Sequence, residues 1–193
     1  MPAKKAQIYQ FKITLKGIRP PIWRRFQVNS HITFFDLHTI IQDVMGWENY
    51  HLFQYFIGGY NISDAVTIQE SGFGDAVAEK TWVDKLLQSE GQKFTYEYDF
   101  GDSWEHELLL EKILPPEDGA TYPRVIKGKR ACPPEDCGGV WGYQELLELL
   151  QDPKSAESEE NAEILDWLGD DFDPEEFDQA AINEQLIQRA KRK

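Results

Sequence analysis

Cysteine is scarce in this chain: Cys132 and Cys137 are the only two in 193 residues. Two thiols cannot build a disulfide framework. None is needed, because a chain of this length buries about 70% of its unfolded surface in its own core. Long apolar runs are missing too, and without one of about 20 residues no helix spans a bilayer. The opening stretch MPAKKAQIYQ contains no apolar h-region, so no secretory signal is expected. These absences predict a cytoplasmic, reducing setting away from membranes. Also absent are a P-loop, a dinucleotide fingerprint and any defensible Ser-His-Asp arrangement.

Acidic residues are missing from the first 35 positions, which hold seven bases: Lys4, Lys5, Lys12, Lys16, Arg19, Arg24 and Arg25. Residues 144–184 are nearly the reverse, with fifteen acids and one base, Lys154. That segment carries the whole net charge of −14, since the other 19 acids and 19 bases balance. An acidic protein is repelled by nucleic acid at long range. A local basic patch still binds phosphate, so nucleic acid stays open as a partner of the N-terminal hairpin.

What is present is aromatic and alternating. Residues 94–111 read FTYEYDFGDSWEHELLLE. Phe94, Tyr96 and Tyr98, and then Trp104, His106, Leu108 and Leu110, recur at period two on either side of a Gly-Asp turn, which predicts a β-hairpin. Its other face would carry Glu97, Asp99, Glu105, Glu107 and Glu111. Such crowding calls for water, arginines or a metal to compensate it. Strands are also expected over 8–15, 22–28, 51–57 and 123–130. A helix is expected over 33–45, with Thr33 and Asp36 at its start and Gly46 as its stop. Residues 61–79 lack a period and read as a loop, followed by a short helix over 81–87. Residues 132–143, CPPEDCGGVWGY, read as an ordered loop before a helix over 143–150. The stretch 152–161 reads as exposed. A short docking helix follows around Ile164–Leu168, and the last helix is expected to start at Asp173-Pro174. The predicted class is α+β: a mixed or antiparallel sheet with an N-terminal hairpin, a packed helix, a central hairpin and C-terminal helices. Its element order is β-grasp-like. Residues 1–150 form the core and 151–193 an acidic helical segment packed on it or extending from it.

Four kinds of chemistry are legible. Asp99, Asp102, His106 and Glu135 offer carboxylates and an imidazole, a set that suits a divalent metal. Alternation puts Asp99 and His106 on opposite faces, so a joint site needs a turn that re-aims one of them. Cys132 and Cys137 could also hold a metal, with His51 or His106 completing the set, although zinc usually takes four ligands at closer spacing. Gly138-Gly139 leads toward a helix start and could bind an anion, but Glu135 and Asp136 beside it would repel one. Lys12, Lys16, Arg19, Arg24 and Arg25 with Trp23 could bind single-stranded nucleic acid. Against that, an arginine here is the natural partner for the acidic hairpin face.

The blocks PPIWRRFQV (20–28), TFFDLHTIIQDVMGWENYHLFQY (33–55), YDFGDSWEHELLLEKI (98–113), ACPPEDCGGVWGY (131–143) and DPEEFD (173–178) together resemble the plasmid pRiA4b ORF-3-like family. The resemblance implies a protein carried by mobile elements in bacteria and archaea. It brings no catalytic residue or cofactor with it, and the chain shows no serine- or tyrosine-recombinase signature.

The leading functional expectation is a non-enzymatic binding or adaptor protein with a protein partner and no cofactor. Its surface would be formed by Trp104, Pro133, Pro134, Asp136, Gly138, Gly139, Trp141 and Tyr143, extended by Trp23, Arg24 and Arg25. The alternative is a metal-dependent enzyme, such as a hydrolase of nucleic acid, built on Asp99, Asp102, His106 and Glu135. A further idea is that the acidic end imitates DNA or covers the basic strand within the same chain.

Overall fold

The computed structural model describes residues 6–151, 158–169 and 171–192. One eight-stranded sheet organises them, in the order β5-β4-β3-β6-β7-β1-β2-β8. Strands β1 (Ile8–Leu15) and β2 (Trp23–Asn29) form the N-terminal hairpin. The central hairpin is β6 (Lys93–Tyr98) and β7 (Trp104–Leu114). β7 pairs antiparallel with β1, and β6 pairs antiparallel with β3 (Phe53–Ile57). β6 therefore runs parallel to β1 with β7 between them: the β-grasp order of elements, opened by one inserted strand. β3 continues into β4 (Tyr60–Ser63), which takes the two-residue β5 (Ala76–Val77) as a parallel edge. β8 (Arg124–Lys129) forms the other edge on β2. The sheet is thus mixed, and with its helices the fold is α+β.

Helix α1 (Phe34–Met45) covers one face of the sheet. Its sequence sets both ends. Thr33 accepts from the Asp36 amide while Asp36 accepts from the Thr33 amide, and Gly46 takes the left-handed conformation that stops the helix. Leu37, Ile41, Val44 and Met45 pack onto Phe11, Phe26, Tyr55, Phe94, Tyr96 and Leu108 in a single core. The alternation of the strands supplies that face, since every second side chain points the same way.

The opposite face carries the crowded acids, and it is compensated from within. Arg25 donates to both Glu111 oxygens, at 2.6 and 2.8 Å, and holds the Glu111 carboxyl below its usual range. Lys16 reaches Glu105 at 3.0 Å, Lys93 reaches Glu107 at 3.1 Å, and Gln54 donates to Glu97 at 2.6 Å. Trp23 lies half-buried, with Lys12 and Arg25 over its ring at 5.2 and 5.5 Å. Arg24 faces the other way and is 2% exposed. It donates to the carbonyls of Val44 and Lys129, and its guanidinium stacks on Phe177. Arg25 is thus the expected arginine partner of the acidic hairpin face and stays partly exposed, whereas Arg24 is buried and does not lie on the surface where a binding role would put it.

Four local expectations are corrected. Residues 61–79 hold β4, helix α2 (Ala65–Ser71) and β5, because Asp64 caps Thr67 and Gly72 ends the helix within too few residues for a period to show. Helix α3 (Val83–Leu86) is one turn long and has Trp82, not Thr81, at its start. Helix α4 (Gly139–Gln151) begins four residues early, among glycines that mask it. The Asp173 stretch is a turn, not a helix start: the Asp173 side chain binds the Glu175 amide, and Asp178 caps helix α6 (Gln179–Arg192) instead. Residues 152–157, expected to be exposed, lie outside the described residues, and helix α5 (Glu159–Leu168) follows them.

The C-terminal stretch returns to the core. Arg130 pairs with Glu175 at 2.6 Å, and the Ala131 amide donates to the Pro174 carbonyl. From α6, Leu186 is buried, while Arg189 and Gln185 donate to Asp43 at 2.6 and 3.1 Å. Asp43 is 1% exposed on α1. A carboxylate buried that deeply is costly once its cation is removed. Arg189→Ala should therefore lower the unfolding free energy by about 2 kcal/mol, and Asp43→Asn in the same chain should restore part of it. Urea denaturation measures both, and an unchanged midpoint for Arg189→Ala would contradict the assignment.

Candidate metal centre

Three segments meet at one end of the sheet: the loop 46–52 before β3, the hairpin turn 99–103, and the loop 131–138 before α4. Gly139 lets the hairpin turn and the 131–138 loop approach, and Gly142 lets that loop fold back on its own helix. A side chain on Gly139 would lie 2.5 Å from the Asp102 carbonyl oxygen, and one on Gly142 would lie 1.9 Å from that of Cys137. Only bare backbone fits at either place. Asp102 fastens the contact by accepting from the Gly138 amide at 3.2 Å. Trp47 fastens the other loop by donating to the Pro133 carbonyl at 3.1 Å.

This docking gathers one imidazole and three carboxylates. Nε2 of His51 lies 3.1 Å from Oδ1 of Asp136, 3.7 Å from Oδ2 of Asp99 and 3.9 Å from Oε2 of Glu135. Among the described residues, His51, Asp99 and Asp136 are the group with ligand atoms all within 4.8 Å of one another. Asp99 reaches it because its φ is +57°, the left-handed region that aspartate visits more readily than most residues. That twist is the re-aiming that simple alternation lacks. The Asp99 Oδ1 accepts from the Gly101 amide at 2.8 Å, leaving Oδ2 turned toward His51. Asp136 is also left-handed, at φ +56°.

Glu135 is held from one side only. Its Oε1 accepts from the Glu48 amide at 2.8 Å and from the Tyr98 hydroxyl at 3.1 Å. Its Oε2 is buried and has no hydrogen bond among the described residues, and the same holds for Nε2 of His51. Burial pushes the Glu135 carboxyl up, against the pull of its two donors and of His51. The Tyr98 hydroxyl also accepts from the Tyr50 amide, and burial beside Glu135 raises it well above its ordinary range.

Of the residues expected to form a metal site, Asp99 and Glu135 come together and are joined by Asp136 and by His51. Asp102 serves the backbone of the next loop. His106 is fully buried on the core face, edge-on to Trp47 at 5.1 Å, so it belongs to the aromatic core and not to this cluster. His51 sits just before β3, not in it, and this frees its ring to turn toward the carboxylates. Cys132 and Cys137 are unpaired thiols packed against the core. Burial raises both, the latter to about 12, so neither is poised as a thiolate. Of the expected binding surface, Trp104 and Tyr143 are fully buried and Pro133 and Gly139 are buried in the docked loop, while Trp141 is 79% exposed. Pro134 is half-buried, and Asp136 and Gly138 are exposed.

A buried polar network holds the loop that carries His51. His38 stacks on Phe53 at 3.6 Å between centroids. Its ring nitrogens meet the Tyr96 hydroxyl at 2.8 Å and the Asn49 side-chain oxygen at 2.6 Å. Gln42 donates to the same tyrosine and accepts from the Asn49 amide. The bond to an amide oxygen requires N–H at Nε2, so a neutral His38 accepts from Tyr96 at Nδ1. Burial holds His38 at about 4 and His106 at about 3. Below pH 6.5 the unfolded chain binds protons that these folded histidines refuse, so stability falls with pH from 6.5 down toward those values. Between pH 6.5 and 5, the loss should reach about 1.5 kcal/mol for each histidine by that linkage. Urea midpoints across this window should fall steadily, and a flat profile would rule out two neutral buried histidines.

The family described as Plasmid pRiA4b ORF-3-like protein matches residues 7–181. Uncharacterized protein y4hQ of Sinorhizobium fredii is 36% identical over 188 residues, covering 96% of this chain and 91% of that protein. The crystal structure of MM3350 from Methanosarcina mazei, described as a protein of unknown function, is 43% identical with a TM-score of 0.79. That similarity covers 92% of this chain and 98% of the other. The chain belongs to the plasmid pRiA4b ORF-3-like family.

Proposed function

We propose that this protein binds a divalent transition metal through His51, Asp99, Glu135 and Asp136, and that the metal serves hydrolytic chemistry. One observation carries the reading. Nε2 of His51 and Oε2 of Glu135 lie 3.9 Å apart, both buried and both without a hydrogen bond. Buried polar atoms are normally satisfied, and two without a hydrogen bond, one of them also 3.1 Å from the Asp136 carboxylate, beside two further carboxylates favour a cation. One imidazole with carboxylates suits manganese, iron or zinc better than a softer ion. Such a cation lowers the pKa of the water it binds and polarises a substrate oxygen. The chain's own part is to hold the ligands: Gly101 fixes Asp99, the Glu48 amide and Tyr98 fix Glu135, and the His38 network fixes the loop of His51.

A purely adaptor role needs only an open patch, whereas converging donors favour the metal reading. The association with mobile elements is carried forward as part of the proposal, supported by a family description that names a plasmid. The two unpaired thiols support a reducing, cytoplasmic setting. No helix among the described residues is long and apolar enough to cross a membrane.

The test is calorimetric titration of chelator-treated protein with Mn²⁺ and Zn²⁺, beside the double variant His51→Ala/Asp99→Asn. The expected result is about one equivalent bound at micromolar Kd or tighter, a raised melting temperature, and at least a hundredfold weakening in the variant. Wild-type protein that gives neither heat nor a melting shift would overturn the site. If metal binds, hydrolysis of a phosphodiester probe and of single-stranded nucleic acid, with and without metal, tests the chemistry.

A further inference from the structure

A second concave surface lies beside the carboxylate cluster and shares Asp136 with it. It is a groove of about 500 Å³ between α4 and α5, lined chiefly by Leu146, Leu149, Ile164 and Trp167, with Glu145 and Asn161. Its apolar residues are unusually open for their size: Trp167 is 54% exposed and Ile164 38%, with Trp141 nearby on α4 at 79%. Large apolar side chains grouped in one exposed groove mark a binding surface more often than isolated ones do. Charge identifies the kind of partner. Neither α4 nor α5 contains a lysine, arginine or histidine; the two helices carry Glu145, Glu148, Glu159, Glu163 and Asp166, and Glu145 and Asp136 line the groove itself.

We infer that this groove receives an amphipathic helix of another protein, with an apolar stripe flanked by lysines or arginines. A second copy of the same surface is opposed by its own charge. The chain's basic helix α6 is already committed to the core through Arg189 and Asp43. The ten residues of α5 span about 15 Å, enough for three turns of a guest helix whose anchors recur at i, i+3, i+4 and i+7. The apolar floor provides affinity, and the acidic walls provide orientation and a fast approach.

The inference does not depend on the metal, so the experiment is run in chelator. The probe is a fluorescent synthetic peptide of two LKKLLKL heptads. The controls are a scrambled peptide of the same composition without an apolar face, and a version with glutamate in place of lysine. Anisotropy in buffer of physiological ionic strength should give a micromolar Kd for the first peptide, weakened at least tenfold by scrambling. Trp167→Ala should also weaken it at least tenfold. Glu145→Lys/Glu163→Lys should do the same, and should improve binding of the glutamate version. All three positions are exposed, so circular dichroism should be unchanged in both variants. The inference is overturned if the first peptide does not bind, if the scrambled peptide binds equally well, or if Trp167→Ala binds as the unaltered protein does.

Discussion

Where Gly139 meets the carbonyl of Asp102, two backbones touch with no side chain between them. That contact sets the geometry of the whole sheet end. It fixes how far the loop after β8 descends onto the central hairpin, and so where Glu135 and Asp136 arrive relative to His51 and Asp99. Bare backbone here is a requirement of distance. A methyl group at Gly139 would push the loop off the turn, move Glu135 from the Tyr98 hydroxyl and separate the carboxylates. The glycines of this segment hide a helix start from the eye and at the same time make the site's assembly possible.

The chain handles its acidic residues in two different ways. Across the outer face of the sheet, each crowded glutamate has a partner: Arg25 for Glu111, Lys16 for Glu105, Lys93 for Glu107 and Gln54 for Glu97. Such pairs remove a repulsion and add little more, because most are exposed and screened. At the sheet end the same crowding is left standing. Three carboxylates face an imidazole with no lysine or arginine bonded to them among the described residues, although the sequence elsewhere places bases against acids with regularity. A protein that neutralises acids so consistently on one surface and leaves them open on another treats the two surfaces differently.

The sequence made some of this legible. Helix α1 could be read to the residue, because a capping pair, an apolar stripe and a terminal glycine all point to the same boundaries. The central hairpin could be read from its period, and the need of its acidic face for partners followed from like charges standing opposite. His106 was correctly placed on the aromatic face by alternation, and that same placement takes it out of the site. What could not be read was direction at turns and contact at a distance. Alternation gives Asp99 the wrong side because one left-handed residue reverses it, and nothing local announces that reversal. His51 looks like a strand residue until β3 is seen to start at Phe53. The arrival of loop 131–138 at the hairpin is a long-range event with no local signature beyond its glycines. Helix α2 escaped because seven residues hold too little periodicity to distinguish from a loop.

The edge of the sheet at β8 has no neighbouring strand among the described residues, yet its outward backbone is not bare. The amide of Val125 donates to the side-chain oxygen of Asn183, and its carbonyl accepts from the Asn183 and Gln179 side chains at 3.1 and 3.2 Å. A helix thus imitates a ninth strand with two side-chain amides. Because α6 follows every strand in the chain, β8 leaves the ribosome before the helix that covers its edge. During that interval β8 offers an open template to other chains, a hazard that exposed edges carry in general. The order of synthesis thereby gives this helix a task during the protein's birth: it is the seal that ends the period in which the newborn sheet could pair with a stranger.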